Sequence, residues 1–201
     1  MKHQNSERTL VLIKPDAVQR SLIGEVIRRY ERAGLKLVAT KMLLPTVDMV
    51  IKHYTLDPTW RQKTGEKTIK GYKDKGMVPP VDDPLEVTNL LLKKLARYMT
   101  SGPVVAMVWE GLHAVSVVRK ITGGTEPLMS DVGTIRGDYM LDSYEASDVD
   151  KRSVRNIVHA SGSVKEAGDE INLWFRSEEL VDYRLIQEEI LYDVNLDGAS
   201  E

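Results

Sequence analysis

Continuous apolar runs alternate along this chain with segments in which apolar residues recur at helical spacing. The continuous runs predict buried strands, and the helical spacing predicts amphipathic helices. The predicted strands are residues 9–13, 35–44, 104–109 and 156–159, and the predicted helices are residues 22–30, 47–54, 86–99 and 113–121, with a further helix from Ser163. Strands and helices that alternate in this way favour a single α/β sandwich.

The last predicted strand ends on His159, directly before small residues and a helix. Ser163 and Glu166 fit the capping-box pattern of a helix start. The N-terminus of a helix presents free N–H groups and partial positive charge, which attract phosphate. An imidazole with an ordinary pKa of about 6.5 is largely neutral at pH 7 and can attack phosphorus. The pattern therefore makes His159 a candidate nucleophile for phosphate chemistry.

Composition excludes several classes of protein. The chain has 201 residues and a net charge of −2, so no overall field favours nucleic acid. It has no cysteine, which excludes disulfides and cysteine-ligated metals. The polar N-terminus is unlike a secretory signal, no apolar run approaches the ~20 residues of a membrane span, and no phosphate-binding P-loop motif occurs. We expect a cytoplasmic protein that binds neither nucleic acid nor membrane.

Four motifs resemble one known family. Residues 156–175, N-I-V-H-A-S-G-S-V-K-E-A-G-D-E-I-N-L-W-F, closely resemble the active-site signature of nucleoside diphosphate kinases. Residues 12–17 (L-I-K-P-D-A), 101–111 (S-G-P-V-V-A-M-V-W-E-G) and 133–138 (G-T-I-R-G-D) are similar to further motifs of that family and occur in family order. The resemblance implies an α+β sandwich of the ferredoxin-like kind, a four-stranded antiparallel sheet with helices packed on it.

The resemblance also implies an activity and its residues. The implied reaction is a ping-pong transfer of the terminal phosphate of a nucleoside triphosphate, usually ATP, to a nucleoside diphosphate through a phosphohistidine at His159. By position, Glu170 and Ser161 orient the imidazole, and Tyr54 lies near the reactive phosphate. The positions that match the family's phosphate- and sugar-binding residues are Lys14, Arg119, Thr125, Arg136 and Asn156.

Magnesium is the cofactor that the resemblance implies. We expect it to bridge the substrate phosphates and to need no dedicated protein cage. The chain has four histidines, and we expect no metal-ligand cluster among His3, His53, His113 and His159. The resemblance further implies a homo-oligomer, most often a hexamer, with a tetramer or dimer as alternatives.

The base-binding position departs from the family pattern. The family stacks the base on a phenylalanine, but the single phenylalanine here is Phe175, and Leu91 stands at the aligned position. Leu95 would complete an apolar platform there, and Trp60 or Tyr72 is an alternative source of a ring. A base held by stacking, without contacts to its edge, explains how such an enzyme accepts many nucleotides. Two small residues next to His159 also differ: Ala160 and Gly162 replace the family's usual glycine and aspartate.

Three segments lie outside the family pattern. Residues 55–84 and 141–153 are predicted insertions within a single domain of residues 1–201, and residues 184–201 form a C-terminal extension. Residues 55–84 mix lysines with prolines and glycines, which predicts a solvated surface loop. The second insertion is rich in turn-forming and charged residues.

The sequence also allows two rival functions. A non-enzymatic relative would use the fold as an interaction module, and we would expect it to have lost polar site residues, whereas every one of them is present. A hydrolase would admit water to the phosphohistidine through the inserted segments. Comparing phosphate release with phosphate exchange separates that second rival from a kinase.

Overall fold

A four-stranded antiparallel sheet forms the centre of the protein. The computed structural model describes residues 5–192 and 195–197. The strands are β1 (Ser6–Ile13), β2 (Lys36–Leu43), β3 (Val104–Leu112) and β4 (Val158–Ala160), in the spatial order β2-β3-β1-β4. All three neighbouring pairs are antiparallel. The predicted ferredoxin-like sheet is therefore confirmed.

Helices cover both faces of this sheet. In chain order they are α1 (Pro15–Gln19), α2 (Ile23–Arg32), α3 (Val47–Tyr54), α4 (Trp60–Asp74), α5 (Pro84–Met99), α6 (Ala114–Thr122), α7 (Ile135–Tyr139), α8 (Tyr144–Val149), α9 (Val164–Trp174) and α10 (Glu188–Tyr192), with short 3-10 turns at Pro127–Met129 and Ser177–Glu179. The helices predicted at 22–30, 47–54, 86–99 and 113–121 all form. Their apolar spacing was the signal that identified them.

Side chains of the central strands alternate between two cores. Odd-numbered residues of β1, such as Val11 and Ile13, pack with Tyr30 of α2 on one face of the sheet. Even-numbered residues, such as Leu10 and Leu12, pack on the other face, where the core includes α3, α5 and α9. A strand buried on both faces reads as a continuous apolar run, which is why β1 and β3 were easily predicted. The end of β1 thereby lies beside β4 and His159.

The prediction of a surface loop at residues 55–84 is wrong, because α4 occupies half of the segment. Ile69 of α4 is buried, and Gly65 packs so closely against α5 that an added Cβ would lie 2.0 Å from the carbonyl oxygen of Pro84. The helix was missed because α4 has few apolar side chains and contains two glycines, which have low helix propensity. The second segment, 141–153, likewise contains a helix, α8, whose N-terminus is capped by the Ser143 hydroxyl.

The start of the C-terminal extension lies along the edge strand β2. Val181 N–H donates to the Val38 carbonyl at 2.8 Å, and the Tyr183 hydroxyl donates to the Leu37 carbonyl at 2.9 Å. These bonds satisfy backbone groups that an edge strand otherwise exposes. Residues 193–194 and 198–201 of the predicted extension lie outside the described residues. Within the described chain, every helix is too short or too polar to cross a membrane.

Candidate active site

A tight backbone turn at the start of β4 shapes the site. Ile157 has a φ of 51°, and the Val158 N–H donates across it to the Asn156 carbonyl at 2.6 Å. A β-branched residue in the left-handed region is an outlier, and such backbone strain concentrates at functional sites. The Ile157 carbonyl accepts from the Lys14 N–H at 2.8 Å, which ties the turn to the end of β1. The turn thereby brings Lys14, Asn156 and His159 together.

His159 is held by a carboxylate of helix α9, which is held in turn by a serine directly after β4. Its Nε2 lies 2.8 Å from Oε1 of Glu170, and Oε2 of Glu170 accepts a 2.6 Å bond from the Ser161 hydroxyl. Ser161 is fixed in turn, because its oxygen accepts from the Leu10 N–H of β1 at 3.1 Å. The structure therefore places Glu170 against the imidazole and Ser161 against Glu170.

The surroundings of His159 keep its imidazole neutral. Burial, and then the positive charges of Lys14, Arg136 and Arg119, hold the pKa of His159 well below its ordinary value of 6.5. Burial raises the pKa of Glu170, while His53 and Ser161 act in the opposite direction. A carboxylate accepts hydrogen bonds, so Nε2 of the neutral ring carries the proton and Nδ1 carries the free electron pair. That electron pair makes Nδ1 the more nucleophilic nitrogen of the ring.

His53 is part of the site, and sequence reasoning missed it. Its ring lies 4.4 Å from the His159 ring in an edge-to-face contact, and its Nδ1 accepts a 3.2 Å bond from the Trp174 indole. Burial, and then the neighbouring His159, lower the pKa of His53 to about 3, so it is neutral. His53, His159 and Glu170 offer ligand atoms that lie within 4.8 Å of one another, contrary to the expectation that the histidines are unclustered. His3 lies outside the described residues.

The one signal in the sequence for His53 was its position next to Tyr54 on a predicted helix. Adjacent residues on a helix point in different directions, so that spacing does not predict that both approach one site. Here the two rings contact each other at 4.9 Å, and both lie at the end of α3 beside β4.

Lys14 and Asn156 form a buried pair beside the histidine. Lys14 Nζ donates to Asn156 Oδ1 at 2.6 Å, and Asn156 Nδ2 donates to the Thr125 carbonyl at 2.9 Å. Burial, and then the charge of Arg136, lower the pKa of Lys14 to about 7, whereas Asp16 acts to raise it. An amine with so low a pKa is only partly protonated at neutral pH, and an arriving anion favours its charged form.

Arg136 and Arg119 are placed differently. Arg136 is buried, and four of its N–H groups donate to backbone carbonyls, which belong to Gly123, Gly124, Asn156 and Val158. A guanidinium has five N–H groups, so within the described structure one remains for an anion. Burial lowers the pKa of Arg136 to about 10, and it stays charged at neutral pH. Arg119 is exposed on the last turn of α6 and is the more accessible of the two cations.

Most of the predicted site residues line one cavity of about 1110 Å³. Its walls include Lys14, Tyr54, Leu91, Leu95, Arg119, Thr125, Arg136, Asn156, His159 and Glu170, while Ser161 lies behind Glu170. Trp60 and Tyr72, the alternative sources of a ring, also line it. The rings of Trp60 and Tyr54 lie 5.8 Å apart with a 36° tilt, so Trp60 presents an aromatic surface close to the histidine end.

The carboxylate of Glu166 occupies the space above Gly162. A Cβ added to Gly162 would lie 2.6 Å from Glu166 Oε2, and Glu166 lines the cavity. Burial and the neighbouring Glu170 raise the pKa of Glu166. The Ser163 hydroxyl accepts from the Glu166 N–H at 3.1 Å, as the capping-box pattern predicted. A carboxylate therefore lies next to residue 162 on the cavity wall, although Gly162 replaces the aspartate that the resemblance leads one to expect.

Comparison with known proteins identifies the family. The family described as nucleoside diphosphate kinase matches residues 7–63 and 87–180. A nucleoside diphosphate kinase of Pyrobaculum aerophilum is 45% identical over 180 residues, which cover 88% of this chain and 98% of that protein. A crystal structure of an NDP kinase from the same organism superposes with a TM-score of 0.84 at 44% identity, covering 88% of this chain and all of the other.

A second solved structure is similar at a lower level of identity. It is described as a transition-state mimic of the Borrelia burgdorferi nucleoside-diphosphate kinase with bound vanadate and ADP. It superposes with a TM-score of 0.76 at 33% identity and covers 92% of this chain and 96% of that chain. Sequence and fold agree over most of the length of each relative, and this chain belongs to the nucleoside diphosphate kinase family.

Proposed function

We propose that His159 carries the phosphoryl group in this nucleoside diphosphate kinase. The observation that supports the proposal most directly is the bond between His159 Nε2 and Glu170, which leaves Nδ1 as the nucleophile. The Nδ1 electron pair attacks the terminal phosphorus, and the bond from that phosphorus to the bridging oxygen breaks. The nucleoside diphosphate leaves with the bonding electrons, and a second diphosphate attacks the phosphohistidine in the reverse sense.

The cations around His159 bind the phosphates and stabilise the charge that develops on their oxygens. Lys14 and Arg119 supply charge at the wall of the cavity, and Arg136 supplies one N–H in addition to fixing the surrounding backbone. Thr125 and Asn156 contribute neutral hydrogen bonds, and the hydroxyl of Tyr54 lies on the same wall. The nucleoside then extends toward Trp60, Leu91 and Leu95, which provide an apolar platform for the base.

The divalent metal of the reaction is magnesium. Magnesium prefers oxygen ligands and retains several waters, and it is often bound through substrate phosphates. The three-residue cluster at His53, His159 and Glu170 offers two ring nitrogens, and Glu170 already holds His159 and Ser161. These donors suit Mg²⁺ poorly, whereas the cationic wall suits a metal–nucleotide complex. When bound, Mg²⁺ neutralises charge on the phosphates and orients them.

Labelling with γ-labelled ATP tests the proposed function. In the presence of Mg²⁺ the protein is expected to take up an acid-labile, base-stable label, and EDTA is expected to prevent it. After removal of free nucleotide, unlabelled GDP should collect the label as GTP. If the labelled protein without an acceptor releases inorganic phosphate as fast as it transfers the label to GDP, the protein is instead a hydrolase.

The lowered pKa of Lys14 predicts a pH dependence. Because that pKa lies at about 7, the ammonium group loses its proton as the pH rises through neutrality, and the positive charge available for phosphate is lost. We expect kcat/KM, which reports groups of the free enzyme, to fall between pH 7 and 9. Lys14→Arg should flatten the profile, since a guanidinium stays charged throughout that pH range. Lys165→Arg, on the exposed face of α9, serves as the control and should keep the wild-type profile.

A homo-oligomer, most often a hexamer, and a cytoplasmic location complete the proposal. Exposed apolar side chains at Leu128, Met129 and Val132 support association, because contiguous apolar surface marks contact sites. The absence of cysteine suits a reducing compartment. A solution mass equal to that of one chain, at the concentrations used for assay, would contradict the oligomer.

A further inference from the structure

Two helices from the predicted insertions meet across the cavity. Tyr72 lies on α4 and Asp148 lies on α8, and both side chains line the cavity and are partly buried. The Tyr72 hydroxyl donates to Asp148 Oδ1 at 2.9 Å. This bond joins two segments that are 76 positions apart in the chain.

One face of α4 follows the cavity from the histidine end to this bond. The cavity-lining residues of α4 are Trp60, Thr64, Lys67, Thr68, Gly71 and Tyr72, which recur at helical spacing. Trp60 lies beside Tyr54, and at 1.5 Å per residue Tyr72 is about 18 Å further along the helix axis. The helix therefore spans the cleft, and its far end reaches α8.

The two ends of α4 are anchored unequally. Its first half is fixed to α5, where Gly65 packs on Pro84 and the Thr88 hydroxyl donates to the Arg61 carbonyl at 2.7 Å. Beyond Gly65, Ile69 is the buried side chain of the helix. In the second half of α4, the Tyr72–Asp148 bond is therefore added to the buried contact of Ile69 and ties the helix to α8.

The partner helix α8 offers a firm attachment. Asp142, just before α8, accepts from Arg152, just after it, at 2.6 Å, and it also accepts from the Arg155 N–H at 2.6 Å.

Burial and the Asp148 carboxylate raise the pKa of Tyr72 to about 12, so the hydroxyl keeps its proton at neutral pH. The donor of the bond is thus maintained under assay conditions.

We propose that Tyr72 and Asp148 are positioning residues that hold the cavity face of α4 over the bound nucleoside, an inference that rests on the proposed function. Without this bond the second half of α4 moves away from the cleft, and the nucleotide loses contacts with its wall. The chemical step is spared, because His159 is held by β1, β4 and α9. The bond therefore affects nucleotide affinity and leaves phosphoryl transfer unchanged.

Three variants test the assignment by separating KM from kcat. Tyr72→Phe and Asp148→Ala are each expected to raise KM for the nucleoside diphosphate about tenfold, in line with the loss of a hydrogen bond to a charged group. The saturating exchange rate should stay within about twofold. Asp148→Asn should restore most of the affinity, because its amide oxygen still accepts from Tyr72. The double variant Tyr72→Phe/Asp148→Ala should be no worse than either single variant, as expected for two partners of one bond.

Tyr183→Phe is the matched control, because its hydroxyl donates to the Leu37 carbonyl on β2, away from the cavity lining. It should leave KM unchanged. An unchanged KM in folded Tyr72→Phe and Asp148→Ala would overturn the inference. A fall in kcat as large as the rise in KM would also overturn it. If Tyr72→Phe does not fold, the comparison of Asp148→Asn with Asp148→Ala decides. Failure of the wild type to become labelled would instead overturn the proposed function.

Discussion

His159→Asn is expected to abolish both the labelled phosphoenzyme and the exchange of phosphate between nucleotides. Loss of a covalent nucleophile costs at least about 10⁴-fold in rate, because the remaining groups bind the substrate without reacting with it. Asparagine is polar and of similar size, but its amide nitrogen has no available electron pair. Nucleotide binding should be largely retained, since Lys14, Arg119 and Asn156 are untouched. Rapid-quench labelling and equilibrium binding measure the two effects separately.

His113→Asn is the matched control for that experiment. His113 is exposed in the turn before α6 and has a φ of 49°, a backbone conformation that asparagine tolerates well. This variant removes an imidazole elsewhere in the chain and should keep wild-type labelling. A label of normal stoichiometry on His159→Asn would contradict the assignment of the nucleophile.

Glu170→Gln is expected to lower the rate of phosphoenzyme formation by roughly 10²–10⁴-fold, by the logic of an orienting carboxylate behind a catalytic imidazole. Glu170 accepts the proton of His159 Nε2 and so keeps the electron pair on Nδ1. The glutamine amide can donate to Nε2 and thereby favour the other tautomer, in which Nδ1 carries the proton and cannot attack. Because burial already keeps His159 neutral, the loss should not be recovered by raising the pH from 7 to 8.

Asp169→Asn provides the control, because it neutralises the adjacent carboxylate on the same helix. Asp169 forms an exposed ion pair with Lys165 and takes no part in holding His159. A surface pair of this kind contributes little to stability, so the stability and the rate should both stay near wild type. A full labelling rate in folded Glu170→Gln would show that the tautomer does not depend on this carboxylate.

Much of the fold could be read from the sequence because its signals are local. β1 and β3 are apolar on both faces, and α2, α3, α5 and α6 repeat their apolar residues at helical spacing. α4 gave no such signal. Its helical conformation is stabilised by packing of Gly65 against Pro84 and by burial of Ile69, and tertiary contacts of this kind override weak local propensity.

The candidate site was predicted to a similar extent. The motif around His159 supplied the proposed nucleophile, and the resemblance supplied its proposed orienting residues and the cations. The resemblance did not show that Arg136 is buried and Arg119 exposed, because exposure depends on how the chain packs around a side chain. Nor did it supply the carboxylate of Glu166 above Gly162, which depends on the start of α9.

Apolar periodicity in the sequence by itself determined the alternation of strands and helices. The contiguous motifs, through the family resemblance, determined the expectation of an antiparallel sheet, the proposed reactive histidine and the types of side chain around it. Only the tertiary structure decided that His53 packs against His159, that Arg136 donates most of its N–H groups to backbone carbonyls, and that Tyr72 bonds to Asp148. Each of these contacts joins residues far apart in the chain or on different elements. Their distances are set by how the helices pack on the sheet, and the order of residues along the chain carries no direct record of that packing.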